Sequence, residues 1–298
     1  KLADIDPREC LYDFEGTGNV EETTACTLLS SVTWEMDAPR YDDYSRSLNI
    51  VKSNILAGNS YLANLTCKVP VRCNLSLDDI FLHAKGKYKL LLRGEKSRGR
   101  RFVCFSPERF LKIHDGWIYS YPMKGTLDAS IPNAEDILMA DRKEAAEHAT
   151  IVDLIRNDLS RVATQVRVDR YRYIDVLHTN KGDILQTSSE ISGQLPDNYR
   201  EHLGDIIAAQ LPAGSITGAP KRKTVEIIQE AEGYDRGFYT GVMGIYSEGN
   251  LNSAVMIRFV EQDAEGRLAF KAGGGITAKS DCRKEYEEVI QKIYLPFE

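Results

Sequence analysis

The sequence predicts an α+β fold in which strands gather in hairpin groups and longer helices separate the groups. Three observations carry that expectation. Short runs of apolar and β-branched residues succeed one another across tight turns, as at 102–105, 110–113 and 117–121. Helical spacing is confined to a few longer stretches, and 133–162 is the longest. The two patterns do not alternate strictly, which argues against a doubly wound parallel sheet.

Taken in order, residues 1–45 read as a short, irregular N-terminal segment, ahead of one domain over 46–298. Leu48, Val51 and Ile55 set a helix over 47–57 that stops at Gly58. Strands follow at 61–71 and 88–92, and the basic, glycine-bearing stretch 93–101 reads as a hairpin turn. After the strands at 102–121 and the helix at 133–162, residues 166–195 return to strand and loop. Helices are expected at 200–211, where Pro212-Ala213-Gly214 interrupts, and at 221–232. Strands at 238–246, 253–260 and 268–272 precede a closing helix over 281–294.

The 298 residues are 42% hydrophobic and 28% charged, the balance of a soluble globular chain. A formal net charge of −6 argues against nucleic acid or an acidic membrane as partner. No apolar run approaches the ~20 residues that span a bilayer. The opening Lys1-Leu2-Ala3-Asp4 is no signal peptide, and without an initiator Met the chain reads as processed or truncated. Six cysteines, at 10, 26, 67, 73, 104 and 282, form no C-x-x-C pair, so they read as reduced thiols of a cytoplasmic protein without zinc.

Two carboxylate pairs stand out. On the helix at 133–162, Ile137, Ala140, Ile151, Leu154 and Ile155 make one stripe, and Glu144 and Glu147 fall in its middle. Carboxylates carried toward a core need a cation or donors. On the closing helix, Glu285, Glu288 and Lys292 share a side next to Cys282, Tyr286, Val289 and Ile293. Two such pairs could converge on one ion, and all-oxygen ligation suits Mg²⁺. For the second pair alone, a solvated helix flank with a Glu288–Lys292 contact is the plainer reading.

Consecutive glycines from Gly273 to Gly275 follow a strand and could let backbone N–H groups approach an anion. Residues 273–280 miss a phosphate-binding P-loop because Ala278 stands where glycine is required. The loop 214–221 opens a helix, either as a carboxylate-binding helix start or as a simple cap by Ser215 or Thr217. Arg258, in an apolar strand, needs an anion, whether a protein carboxylate or a ligand's. Lys124 falls in a Pro/Gly loop, where lysine is ordinarily just exposed.

Together these segments resemble the chorismate-utilising enzymes: anthranilate, aminodeoxychorismate, isochorismate and salicylate synthases. The markers are Ser106-Pro107-Glu108-Arg109-Phe110, Pro122-Met123-Lys124-Gly125-Thr126, and Glu147-His148 followed by Val152-Asp153-Leu154-Ile155-Arg156-Asn157-Asp158-Leu159. The stretches 214–221, 272–276 and 285–292 complete the set. Each is weak alone, but their order and spacing are specific. The resemblance implies a four-layer αββα sandwich of two β-sheets with outer helices. It implies Mg²⁺ at Glu144, Glu147, Glu285 and Glu288. It implies pyruvyl-carboxylate contacts from Tyr239, Arg258 and the glycine run with Gly273 and Gly275. Ring-carboxylate contacts would come from Gly125, Thr126, Ser215 and Lys292, and the general acid would be Glu108. Anthranilate, salicylate and isochorismate synthases place Ala before the Gly-Thr pair, whereas the C4-aminating branch places Lys, as this chain does at Lys124. The resemblance therefore implies Mg²⁺-dependent amination of chorismate through a covalent intermediate on Lys124. Ammonia would come from a glutamine amidotransferase subunit, because the sequence carries no glutamine-hydrolysing motif.

Three departures bear on this. Gln186 stands where the family usually has His, and Gln is neither acid nor base near neutrality. Leu62 replaces the Gln of the family's early strand and cannot be the water-activating lysine of isochorismate synthases. The N-terminal region lacks the element that relatives use for tryptophan. The alternatives are an anthranilate synthase component I and a catalytically silent chorismate-binding subunit.

Overall fold

The computed structural model describes residues 6–20, 32–94, 100–179 and 182–297. The chain divides into two compact units, one of Lys1–Glu108, Ile216–Met243 and Val255–Glu298, the other of Arg109–Ser215 and Gly244–Ala254. The first unit opens with β1 (Cys10–Phe14), β2 (Thr17–Gly18), β3 (Trp34–Met36), α1 (Tyr41–Leu56), β4 (Leu62–Cys73), α2 (Leu77–His83), β5 (Tyr88–Leu92) and β6 (Arg101–Ser106). The second brings β7 (Arg109–His114), β8 (Trp117–Ser120), β9 (Met123–Asp128), α3 (Ala134–Ala140), α4 (Arg142–Leu159), β10 (Thr164–Thr179), β11 (Gly182–Gln194) and α5 (Leu203–Gln210). After the short α6 (Gly214–Thr217) come β12 (Gly218–Ala219), α7 (Lys221–Glu232), β13 (Val242–Ser247), β14 (Asn250–Val255), β15 (Phe259–Gln262), β16 (Leu268–Ile276) and α8 (Cys282–Gln291).

Among the described residues, the first unit's sheet has nine strands in the order β12-β4-β16-β15-β6-β5-β1-β2, with β3 also on β4. The second sheet has seven, in the order β10-β11-β8-β7-β14-β13, with β9 on β11. The ladders are antiparallel, as the hairpin pattern predicts. The fold is therefore α+β, built on two antiparallel sheets with helices. Among the described residues no helix is long and apolar enough to cross a membrane. Cys10, Cys67, Cys73, Cys104 and Cys282 are free thiols, and Cys26 lies outside the described residues.

The first unit's core explains its helices. Tyr44, Leu48, Val51 and Ile55 repeat at helical spacing on α1 and are all buried. They share one cluster with Leu65 and Val69 of β4, Phe270 and Ile276 of β16, and Val289 of α8. Each such side chain removed from water stabilises the fold by about 1.5–3 kcal/mol. Strand β1, inside the expected N-terminal segment, pairs along its length with β5.

Several sequence expectations are corrected. The helix expected at 133–162 is two helices, because Asp141 takes an extended conformation between them. Asp141 Oδ1 accepts from the Glu144 N–H (3.0 Å) and so caps α4. The Arg172 guanidinium donates to the carbonyls of Leu138 (2.9 Å) and Met139 (2.8 Å), satisfying the end of α3. The break ends the long apolar stripe: Ile151 is buried, but Ile137 is 50% exposed. The strand expected at 253–260 is split between β14 and β15, which lie in different sheets, and Arg258 stands between them in the chain at φ +54°. The glycine run is no loop after a strand, since Gly273, Gly274 and Gly275 lie within β16 opposite Thr66, Leu65 and Asn64. The cap expected of Ser215 or Thr217 is not used, because Pro220 is the N-cap of α7 and makes no side-chain cap. The middle of the turn expected at 93–101 lies outside the described residues.

Candidate active site

In the second unit, the stretch expected as a Pro/Gly loop is strand β9, paired with β11. Thr126 faces Gln186 and Lys124 faces Thr187, so Gly125 is the extra residue of a bulge. Gly125 has φ +74°, a left-handed conformation that a side chain would strain, and the Glu144 Oε2 atom lies 3.0 Å from where its Cβ would stand. The bulge and the Thr187 hydroxyl, which donates to the Lys124 carbonyl, fix the backbone from which the lysine projects. Lys124 Nζ is 2.9 Å from Glu147 Oε2, with the two side chains 25% and 13% exposed. Lys124 is thus a half-buried group on a strand, engaged with one of the expected metal-binding carboxylates.

The neighbouring residue on α4 anchors Glu147. His148 is fully buried, with Nε2 2.6 Å from Ser189 Oγ, which also accepts from the Arg172 N–H (2.8 Å). Burial, with Arg172 and Lys124 nearby, pushes the His148 imidazole down to about 4. At neutral pH it is an uncharged post that pins α4 to β11. Gln186, in place of the family histidine, lies half-buried on β11 between Asp175 and Thr126.

In the first unit, α8 begins with Asp281 accepting from the Lys284 N–H (3.0 Å). Glu285 is buried while Glu288 is exposed. Glu285 Oε2, Glu288 Oε1 and Lys292 Nζ stand 3.8, 3.7 and 3.9 Å from the point that a Cβ on Gly274 would occupy. Lys292 Nζ donates to Glu288 Oε1 (2.6 Å) and to the Gly273 carbonyl (3.1 Å), so the contact expected of the plainer reading is formed. Tyr239 is buried, and burial first of all pushes its phenol up. Arg258 packs its guanidinium over the Tyr294 ring at 5.6 Å, and among the described residues no protein carboxylate pairs with it. Glu108 is half-buried between β6 and β7, with its N–H donating to Ser106 Oγ (3.1 Å). Thr126 is exposed and Ser215 half-buried.

In the first unit Glu285 and Glu288 stand against Gly274 and Glu288 engages Lys292; in the second Glu144 stands against Gly125 while Glu147 engages Lys124. Among the described residues no three His, Cys, Asp or Glu form a metal-holding group. The donor chemistry nevertheless fits Mg²⁺: each pair offers hard carboxylate oxygens, and one carboxylate of each already accepts a cation, Glu147 from Lys124 and Glu288 from Lys292.

Sequence reasoning missed two features. His148 stood only as part of a motif, although a lone histidine amid apolar helix positions signals burial. The pair Glu232–Arg236, 1% and 16% exposed and 2.5 Å apart, was not singled out. Its spacing of four along the end of α7 was the available signal.

A family model described as chorismate binding enzyme matches residues 16–297. An uncharacterized PabA-like protein of Haemophilus influenzae is 51% identical over 258 residues, which cover 87% of this chain and 76% of that one. The anthranilate synthase component 1 1 of Haloarcula marismortui is 32% identical over 317 residues, covering 98% of this chain and 62% of its own length. The crystal structure of anthranilate synthase component I from Streptococcus pneumoniae superposes with a TM-score of 0.75 at 24% identity, over 89% of this chain and 59% of that one.

Proposed function

The chain belongs to the chorismate-binding enzymes, and we propose that it aminates chorismate at C4 to give 4-amino-4-deoxychorismate, on the route to p-aminobenzoate and folate. The observation that carries this reading is Lys124 itself, a lysine ahead of Gly125-Thr126, held on a bulged strand with a carboxylate 2.9 Å away. An amine can attack only after losing its proton; the Glu147 carboxylate favours the ammonium while the two are paired, so the reading requires Glu147 to turn from Lys124 to Mg²⁺ before attack.

In this reading Arg258, Tyr239 and the backbone of Gly273 and Gly275 receive the pyruvyl carboxylate, which retains a bidentate-capable cation for it. Gly125, Thr126, Ser215 and Lys292 orient the ring carboxylate. Mg²⁺ held by Glu144, Glu147, Glu285 and Glu288 would supply neutralising charge for that carboxylate. The Lys124 lone pair forms a bond to C2, both ring double bonds shift, C1=C2 to C1=C6 and C5=C6 to C4=C5, and the C4–O bond breaks. Glu108 gives the departing hydroxyl its proton, so it leaves as water. Ammonia then bonds to C4, both double bonds shift back, and the C2–N bond breaks to return the lysine. The pyruvyl group stays in place throughout. A partner glutamine amidotransferase subunit supplies the ammonia.

Anthranilate formation is the second reading, favoured by the relatives that bear that name. Lys124 and Gln186 speak against it. Protein, chorismate, MgCl₂ and ammonium chloride are mixed and the product is weighed by mass spectrometry. Aminodeoxychorismate from the native enzyme, a covalent adduct on Lys124, and loss of both in Lys124→Ala support the proposal. Fluorescent anthranilate with released pyruvate, or undiminished amination by Lys124→Ala, refutes it. No turnover at all would make the chain a silent chorismate-binding subunit.

A further inference from the structure

Two residues other than glycine hold left-handed backbone conformations in neighbouring segments of the first unit, Thr240 at φ +63° and Arg258 at φ +54°. A β-branched residue at positive φ is a steric outlier, because its Cβ crowds the backbone. Such strain persists only where the surroundings over-determine it, and it gathers where a protein must hold a group in place. At Thr240 the surroundings are hydrogen bonds. Its N–H donates to the Met256 carbonyl (2.8 Å), and the Met256 N–H donates back to the Gly241 carbonyl (2.8 Å). Its hydroxyl donates to the Tyr239 carbonyl (2.6 Å) and accepts from Arg236 Nη1 (3.4 Å), part of a guanidinium paired with Glu232. Gly241 leaves no room for a side chain, since a Cβ there would meet Met256 Cε at 2.8 Å and the Phe238 carbonyl at 2.9 Å.

These bonds join two segments. One carries the buried Tyr239, whose ring packs on Phe259 with centroids 5.8 Å apart. The other runs from Met256 to Arg258, whose carbonyl accepts from the Phe105 N–H (3.2 Å). Tyr239 and Arg258 are the two side chains assigned above to one carboxylate. A ring packed in this way aims its hydroxyl only as finely as its own backbone is fixed. Thr240 fixes that backbone twice, through its hydroxyl on the Tyr239 carbonyl and its N–H on the Met256 carbonyl. Glycine would take the same φ without strain but would bring no hydroxyl. We propose that Thr240 is a positioning residue, whose hydroxyl and strained backbone set Tyr239 in register with Arg258 for the pyruvyl carboxylate of chorismate. This rests on the reading that Tyr239 and Arg258 receive that carboxylate, and is independent of which ring carbon is aminated.

The test is steady-state kinetics of the Mg²⁺-loaded protein with chorismate and ammonium chloride varied in turn, beside urea unfolding. Thr240→Gly accepts the left-handed backbone and loses the hydroxyl. Its KM for chorismate should rise about fivefold, a change of ~1 kcal/mol that matches one hydrogen bond, while kcat and the KM for ammonium stay within about twofold. Its urea midpoint should stay near the native value, because the strain that leaves offsets the hydrogen bonds that are lost. Thr240→Ser keeps the hydroxyl and should keep the native KM for chorismate. In the double variant Tyr239→Phe/Thr240→Gly the KM for chorismate should be no higher than in Tyr239→Phe alone, since Thr240 acts through the tyrosine hydroxyl. A native KM for chorismate in Thr240→Gly, an equal rise in Thr240→Ser, or additive rises in the double variant would overturn the proposal. Should Thr240→Gly fail to fold, Thr240→Ala, which also lacks the hydroxyl, is read in its place. A native KM in Tyr239→Phe would remove the carboxylate contact and this inference with it. Anthranilate as the product of the native protein would defeat the amination proposed above and leave the chorismate comparison readable.

Discussion

Replacing Glu232 by Gln should cost the protein about 3 kcal/mol of stability. The Glu232 carboxylate is 1% exposed and receives Arg236 Nε (2.8 Å) and Nη2 (2.5 Å), the Thr66 N–H (2.7 Å) and the Thr66 hydroxyl (2.8 Å). Gln preserves the shape and one acceptor oxygen but removes the charge that the guanidinium faces. Breaking one side of a buried pair costs about 3–5 kcal/mol, because a charge is left uncompensated. Arg236 keeps the carbonyls of Asn64 (2.7 Å) and Ile216 (3.3 Å) and is itself 16% exposed, which places the loss at the lower end. Against the ~5–15 kcal/mol typical of a folded domain this is large. Urea unfolding followed by far-UV circular dichroism measures it as a shifted midpoint at constant slope. The double variant Glu232→Leu/Arg236→Met removes both charges and should lose less than the sum of its single changes. A Glu232→Gln protein within 1 kcal/mol of native, or a double variant worse than additive, would refute the reasoning.

Two adjacent glycines should respond differently. A methyl on Gly273 would meet Thr66 Cγ2 at 2.5 Å and the Leu65 carbonyl at 2.6 Å, so Gly273→Ala should lose at least about 1–3 kcal/mol in the same urea assay. On Gly274 the nearest atom is Glu288 Oε1 at 3.7 Å, so Gly274→Ala should unfold like the native protein, within about 1 kcal/mol. That methyl enters the space between the Glu285 and Glu288 carboxylates, so the Mg²⁺ needed for half-maximal activity should rise several-fold. Equal Mg²⁺ requirements, or Gly274→Ala the less stable of the two, would contradict this account. Burial pushes the Glu261 carboxyl up, but Lys271 and Lys68, each 2.7 Å away, outweigh it and hold the carboxyl below the usual range. A depressed carboxyl stabilises the fold above its unfolded value near 4.5 and ceases to as pH falls through its folded value. Native protein should therefore exceed Glu261→Gln in urea stability at pH 7, with the gap closing in acid; a gap independent of pH would exclude the role.

Local chemistry made much of the chain legible. Helix α7 occupies the expected 221–232, and α8 lies within the expected 281–294. Strand β5 spans 88–92 as expected, and β4 lies close to the expected 61–71. These elements rest on apolar periods and caps within a few residues of one another. Asp141 and Glu144 also carried a readable signal, an Asp-x-x-Glu cap inside the stretch taken as one helix.

The expected site residues were legible only as motifs, and their surroundings were not. The sequence by itself determined the α+β class, the order of the elements, the family resemblance and the residue types available for carboxylate, amine and metal chemistry. Tertiary structure decided that Lys124 rides on a bulged strand beside Glu147, that Arg258 links strands of two different sheets, and that the glycine run lies in a ladder. Periodicity and caps are interactions between near neighbours and can be read along a chain. Register, burial and the partner of a charge belong to pairs of distant segments, and they exist only once those segments have met.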